Sequence, residues 1–184
     1  MRRWRWGEGR EIRLTGGASP AADAHWRRGR AAAKLRGMTD APNQTIAAFG
    51  HPATLIKDYG SWMVLLRPAQ PSLGSLVLAA TEPALALSAL SADAFAVLPR
   101  AIRDIEATLG RAFGYDKINY LMLMMVDLNV HYHVIPRYAA ARSFNGAENA
   151  DSGWPGPPAL GDGITLETGG MMAMAEHLKA HWPG

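Results

Sequence analysis

Asp127-Leu-Asn129-Val-His131-Tyr-His133-Val-Ile-Pro136-Arg137-Tyr138 is the stretch in which polar groups interrupt an apolar run at a fixed period of two. Successive side chains of a β-strand point to opposite faces, so Asn129, His131 and His133 share one face and Val130, Tyr132 and Val134 the other. The imidazoles are then set roughly 7 Å apart along one surface. Pro136 has no backbone N–H, so the expectation is that pairing stops there and that Arg137 and Tyr138 turn outward. A strand with imidazoles on one side and core residues on the other suits the floor of an active site.

Upstream of this strand, residues 117–126 read Lys-Ile-Asn-Tyr-Leu-Met-Leu-Met-Met-Val, apolar on both faces, which predicts a central strand covered on both sides. Met122, Met124 and Met125 read as core filler in preference to a soft-metal stripe. A short turn at Asp127-Leu128 then leads into the histidine strand. Before it, Phe95, Leu98, Ile102, Ile105, Leu109 and Phe113 recur at spacings of three and four, one face of an amphipathic helix over 91–114. Gly114 suits its C-terminal cap, and Pro99 predicts a kink near the second turn or a later start. Residues 54–57 and 62–66 flank Asp58-Tyr59-Gly60-Ser61, a hairpin signature. Pro68 and Pro71 make the next segment a loop without a paired strand, and a third strand follows over 73–79.

Downstream of Tyr138 the chain is rich in Gly and Pro up to residue 170, a long loop, and residues 171–182 form a last helix with Thr168 or a glycine near its cap. The histidines of that helix, His177 and His181, read as solvated. The loop carries Trp154 between Gly153 and Pro155. A stiff loop holding one large aromatic is a low-entropy way to cover a base, so Trp154 is expected near the ligand site, adding to substrate affinity.

The 184 residues include no cysteine, which excludes disulfides and thiolate metal sites, and no apolar run is long enough to span a bilayer. The net charge of +3 is unevenly placed. Residues 1–37 carry ten basic and three acidic side chains, +7, against nine and thirteen in the remainder, −4. The high pI therefore does not mark a nucleic-acid surface on the globular part. Residues 1–37 read as a disordered basic tail, the alternative reading being that the true start is Met38. Residues 38–145 read as the folded domain, and 146–184 as a Gly/Pro-rich loop and C-terminal helix packed on it. The location expected is cytoplasmic, with no membrane partner.

Asn129-Val-His131-Tyr-His133-Val-Ile-Pro-Arg137 resembles the signature of the histidine-triad (HIT) family, His-x-His-x-His followed by two apolar residues, often with Pro-Arg after them. Ser61-Trp-Met-Val-Leu-Leu-Arg67-Pro68, Leu73-Gly74-Ser75-Leu-Val-Leu, the long helix and the Lys117 strand fall in the order of such a domain. The resemblance implies an α+β fold with a five-stranded antiparallel sheet, one long helix and a C-terminal helix, paired as a homodimer over a nucleotide cleft. It also implies that His131 attacks the α-phosphorus of a nucleotide conjugate, as in the bacterial dinucleoside polyphosphate hydrolase-like branch, to form a covalent nucleotidyl-histidine. His133 would donate to the transferred phosphate, and Arg67, Ser75, Arg137 and Trp154 would bind substrate. No cofactor or metal is implied. Asn129 departs from the first histidine of the triad: it can donate and accept hydrogen bonds but cannot carry a proton. Leu66 stands where many members have Asn, and no Gln or Ser lies near residues 125–128.

Three function classes compete. The first is a nucleotidyl hydrolase or transferase acting on phosphoanhydride or phosphoramidate bonds, and the second a nucleotide-binding regulatory protein with little turnover. The third is a metalloprotein using His131 and His133, which needs at least one further ligand that the motif does not supply.

Overall fold

A computed structural model describes residues 43–184; the basic segment 1–37 and the proposed start at Met38 lie outside the described residues. A short helix α1 (Gln44–Ala48) is followed by strands β1 (Leu55–Asp58) and β2 (Trp62–Leu66), the two-residue β3 (Ala69–Gln70) and β4 (Leu76–Ala80). Then come the long helix α2 (Ala92–Phe113), β5 (Lys117–Leu121), β6 (His131–Arg137), the small hairpin β7 (Arg142–Phe144) and β8 (Ala147–Asn149), β9 (Ile164–Thr165) and helix α3 (Thr168–Ala180). Five strands form one antiparallel sheet in the order β1-β2-β4-β6-β5. The architecture is the α+β arrangement expected. No helix among the described residues is long and apolar enough to cross a membrane.

The β1–β2 hairpin turns at Gly60, whose φ of +80° only glycine adopts without strain. One sheet face carries Trp62, Val64, Leu66, Leu76, Leu78 and Val134 into the main core, where Ala101, Ile105 and Leu109 of α2 and Met174 and Leu178 of α3 meet them. Helix α2 ends at Gly114 in the left-handed conformation, as the sequence predicts, and begins at Ser91, whose Oγ accepts from the Ala94 N–H. Two details differ. The helix starts before Pro99 and runs through it, and its deepest stripe is Ala94, Ala101, Ile105, Thr108 and Leu109, leaving Phe95 exposed. The Trp62 indole donates to the Ala94 carbonyl at 2.8 Å, tying β2 to the first turn of α2.

Three further expectations are corrected. Residues 117–126 are not a central strand: β5 ends at Leu121 and lies at the sheet edge, and Met122, Leu123, Met125 and Val126 are exposed in the connection to β6. A continuous apolar run has the same pattern whether or not a neighbour covers it, and here none of the described elements covers its second half. Pairing does not stop at Pro136 either, since Pro136 stands opposite Ile118 and Arg137 opposite Lys117. The Pro136 carbonyl accepts from Ser72 Oγ on the β4 side, so its nitrogen faces that side too, beyond the last β4 pair (Leu76 with Val134), and no ladder bond to β5 is lost. Arg137 and Tyr138 are consequently buried. Finally, the segment between Pro68 and Pro71 does pair, Ala69 with Thr165 and Gln70 with Ile164. Gly163 permits the approach, because a Cβ there would lie 2.5 Å from the Gln70 backbone.

Candidate active site

The other sheet face holds the histidines. Leu65, Val77, His133 and Leu121 stand in one row across β2, β4, β6 and β5, and Met63, Ala79 and His131 in the next. Helix α1 covers one end of this face: Ile46 packs on Leu65, Val77 and Ala79, and the Phe49 ring lies 5.7 Å from each imidazole. The helix is fixed by Asn43, whose side chain caps it through the Ile46 N–H and donates to the Ala80 carbonyl.

Asn129, His131 and His133 are all buried, His131 to 1% exposure. His131 Nδ1 lies 2.8 Å from the Asn129 carbonyl oxygen, so this nitrogen carries the proton and donates it. The lone pair is thereby left on His131 Nε2, which faces His133 Nε2 at 3.3 Å. His133 accordingly donates from Nε2, and its Nδ1 is buried without a partner. The Asn129 side chain turns to α1, where the Thr45 hydroxyl donates to Oδ1 at 3.5 Å and accepts from the Asn129 N–H at 3.3 Å. In front of the imidazoles lies a cavity of about 240 Å³ lined by Leu123, Met124, Met125, Val126, Asp127, His131 and His133.

Burial pushes the His133 imidazole down to about 4, helped by the neighbouring His131 and the Arg67 guanidinium and opposed by Asp127. A protonated His133 would also bury a second N–H with no acceptor. His133 is thus a neutral donor at physiological pH. Folded His133 binds fewer protons than unfolded His133 between about pH 4 and the ordinary 6.5, so stability rises with pH across that window. The contribution is complete above 6.5 and is lost as pH falls toward 4. Urea titrations at pH 7 and 4.5 should show wild type losing stability on acidification more steeply than His133→Gln, and equal losses would refute the lowered affinity.

The remaining predicted ligands divide. Arg67 follows β2, its guanidinium donates to the Ala69 carbonyl, and its Nε is buried without a partner, which leaves a cation held on the β2 side of the histidines. Ser75 is fully buried and its hydroxyl donates to the Ser72 carbonyl at 2.7 Å, so it shapes the turn before β4 and does not reach the cavity. Arg137 uses four of its five N–H donors internally, two on Asp151, one on Asn119 and one on the Gly156 carbonyl. It clamps the loop and also lines the cavity beside Trp154. Trp154 lines a second cavity, of about 410 Å³, with Lys117, Asn119, Leu121, Arg137 and Pro155–Pro158. Its β5 residues lie on the histidine face of the sheet, Leu121 standing opposite His133 and Lys117 opposite Arg137. Sequence reasoning missed Thr45 and Phe49. The one signal for them was Asn43 at N-cap spacing before a short apolar helix. His177 and His181, expected to be solvated, are half-buried, the His177 ring packing on Phe113 and Phe144. Among the described residues no group of three His, Cys, Asp or Glu comes together as metal ligands.

Comparison with solved structures returns a histidine triad protein of Sinorhizobium meliloti 1021, 22% identical, TM-score 0.62, covering 79% of this chain and 99% of that one. A histidine triad protein of Marinobacter aquaeolei VT8 aligns with 19% identity and a TM-score of 0.56, covering 79% and 97%. The fold is that of the histidine-triad proteins. A hypothetical histidine triad nucleotide-binding protein of Sulfolobus tokodaii strain7 shares it at 13% identity and TM-score 0.53, covering 70% and 82%. No family model matches the chain, and no curated protein matches it. In this fold His131 and His133 lie on β6, and Asn129 precedes the strand with its carbonyl accepting from His131 Nδ1.

Proposed function

We propose that the protein is a histidine-triad nucleotidyl hydrolase or transferase acting on a nucleotide conjugate, a dinucleoside polyphosphate being one such conjugate. The observation that carries this reading is the imidazole pair: His131 Nδ1 is held by the Asn129 carbonyl, and its Nε2 lone pair is turned into a cavity beside a neutral second imidazole. A neutral imidazole with its tautomer fixed is a nucleophile that needs no separate base. His131 Nε2 bonds to the α-phosphorus, the bond to the leaving group breaks with its electron pair, and water or another acceptor later displaces the nucleotide. The His133 Nε2–H is placed to turn from His131 to a phosphoryl oxygen as charge develops there. The role of Asn129 is met by its backbone, which any residue supplies, so its lack of a titratable side chain does not remove the support to His131. Incubation with adenosine and guanosine conjugates followed by intact mass spectrometry tests the reading; a nucleotidyl adduct localised to His131 is expected, and a protein that binds nucleotide without adduct or product would be the regulatory alternative.

The Trp154 cavity, whose β5 residues share the histidine face of the sheet, supports a nucleoside site there. Trp154→Ala should raise KM about tenfold with kcat little changed, as when binding common to ground and transition states is lost. Wild-type kinetics would remove Trp154 from the substrate site. The edge position of β5 and the partly exposed apolar residues Phe95 and Met122 support a homodimer. Sedimentation at micromolar concentration should show the dimer mass, and a monomer alone would count against it.

A further inference from the structure

Thr45 is a buried hydroxyl that the transfer chemistry does not use, and both of its hydrogen-bonding capacities go to one residue. It accepts from the Asn129 N–H at 3.3 Å, and its own proton goes to Asn129 Oδ1, 3.5 Å away. Helix α1 brings the hydroxyl to this place from 84 residues upstream. The helix is pinned at both ends, the Asn43 amide donating to the Ala80 carbonyl at 2.6 Å and the Thr54 hydroxyl to the Phe49 carbonyl at 2.7 Å. Asn129 depends on such a hold. It precedes β6, so no ladder bond fixes its N–H, yet its carbonyl is the acceptor for the His131 Nδ1 proton at 2.8 Å. The peptide N–H that follows, that of Val130, donates to the Ala84 carbonyl at 2.8 Å. Asn129 is thus gripped on its carboxyl side by backbone and on its amide side by the Thr45 side chain.

We propose that Thr45 is a positioning residue for the nucleophile: by holding Asn129 through its N–H and its side-chain oxygen, it keeps the Asn129 carbonyl aimed at His131 Nδ1 and so keeps the lone pair on Nε2. The consequence for catalysis rests on the nucleotidyl-transfer reading; the consequence for the proton does not. Which nitrogen of a neutral imidazole carries the proton is set by the hydrogen bond that the other makes. With the carbonyl displaced, part of His131 carries its proton on Nε2, where no lone pair is left to bond to phosphorus. His133 then follows, because its Nε2 lies 3.3 Å from that nitrogen and has to accept, its own proton moving to the buried, unpartnered Nδ1. One hydroxyl outside the motif therefore acts on the nucleophile and on the phosphate donor together. Asparagine suits this position, since its amide does not titrate and the bond to Thr45 is kept across the working pH of the site.

The test compares full-length wild type with Thr45→Val, which keeps the branched shape and loses the hydroxyl, and Thr45→Ser, which keeps the hydroxyl. Ring-nitrogen NMR shifts of His131 and His133 in histidine-labelled protein report the tautomers, and kcat and KM are measured on adenosine 5′-(p-nitrophenyl phosphate) with the mass of the adduct. Wild type should show His131 in the Nδ1–H form. In Thr45→Val the Nε2–H form of His131 should appear, and kcat should fall about tenfold with KM changed by less than about twofold, while Thr45→Ser restores the wild-type shifts and most of the rate. Wild-type shifts in Thr45→Val overturn the proposal whether or not kcat falls, since a fall without a change of tautomer is a structural loss. An altered tautomer with wild-type kcat overturns it too, as does a Thr45→Ser protein that behaves like Thr45→Val. An altered tautomer in Thr45→Val, with neither adduct nor product from any of the three proteins, would uphold the hold on His131 and overturn the nucleotidyl-transfer reading. Should Thr45→Val not fold, Thr45→Ala carries the same comparison against Thr45→Ser.

Discussion

His131→Ala should lower turnover of the best nucleotide conjugate by at least about 10³-fold and abolish the covalent adduct, because no other group in the site can take over the bond to phosphorus. His133 does not substitute: its Nε2 carries the donated proton, and its Nδ1 is turned into the protein without a partner. Burial of His131 against Phe49 means that truncation leaves a small polar-lined gap, so a modest loss of stability accompanies the loss of activity. His133→Ala, by contrast, should lower the rate by about 10²-fold and still form some adduct, as expected when one donor to a developing oxyanion is removed. Stopped-flow turnover with intact-mass analysis separates the two. Near-wild-type turnover in His131→Ala would show that the nucleophile is elsewhere.

Arg137→Met should cost about 3–5 kcal/mol of stability, the range found when one partner of a buried ion pair is removed, and lower Tm by roughly 10–15 °C. Both side chains of the Arg137–Asp151 pair are nearly inaccessible, at 5% and 3%, and Nε meets the carboxylate at 2.6 Å. Without the guanidinium, Asp151 keeps only the Tyr138 and Gly153 N–H groups, and Asn119 and the Gly156 carbonyl lose their donor. The clamp joins β5, β6 and the loop that carries Trp154, so KM should rise as well. Asp151→Asn, which keeps the shape and removes the charge, should destabilise the protein in the same sense. Chemical unfolding measures both, and a loss below about 1 kcal/mol would mean that the pair is balanced by its desolvation.

Much of this molecule could be read without coordinates, for reasons of covalent and local geometry. The two-residue period placed His131 and His133 on one face because a strand has no other option, and the apolar spacing with Ser91 and Gly114 at its ends bounded α2 because cap geometry is local. The hairpin at Gly60 followed for the same reason. Other features depended on what lies opposite a residue, which no periodicity encodes. Residues 117–126 have the composition of a covered strand, yet the sheet places β5 at its edge and leaves Met125 and Val126 in water beside the histidines. That Arg137 clamps the loop could not be read from its position after the motif, because Asp151, Asn119 and Gly156 converge on it from three segments. Pro136 stayed in the sheet because its nitrogen faces the side where β4 has already ended. Sequence by itself determined which imidazoles share a surface and that the Asn129 carbonyl, two residues before His131, is there to hold its Nδ1; the tertiary fold alone decided which cation stands near them and which apolar side chains stay uncovered, because each of these depends on what packs opposite residues that the strand period does not bring together.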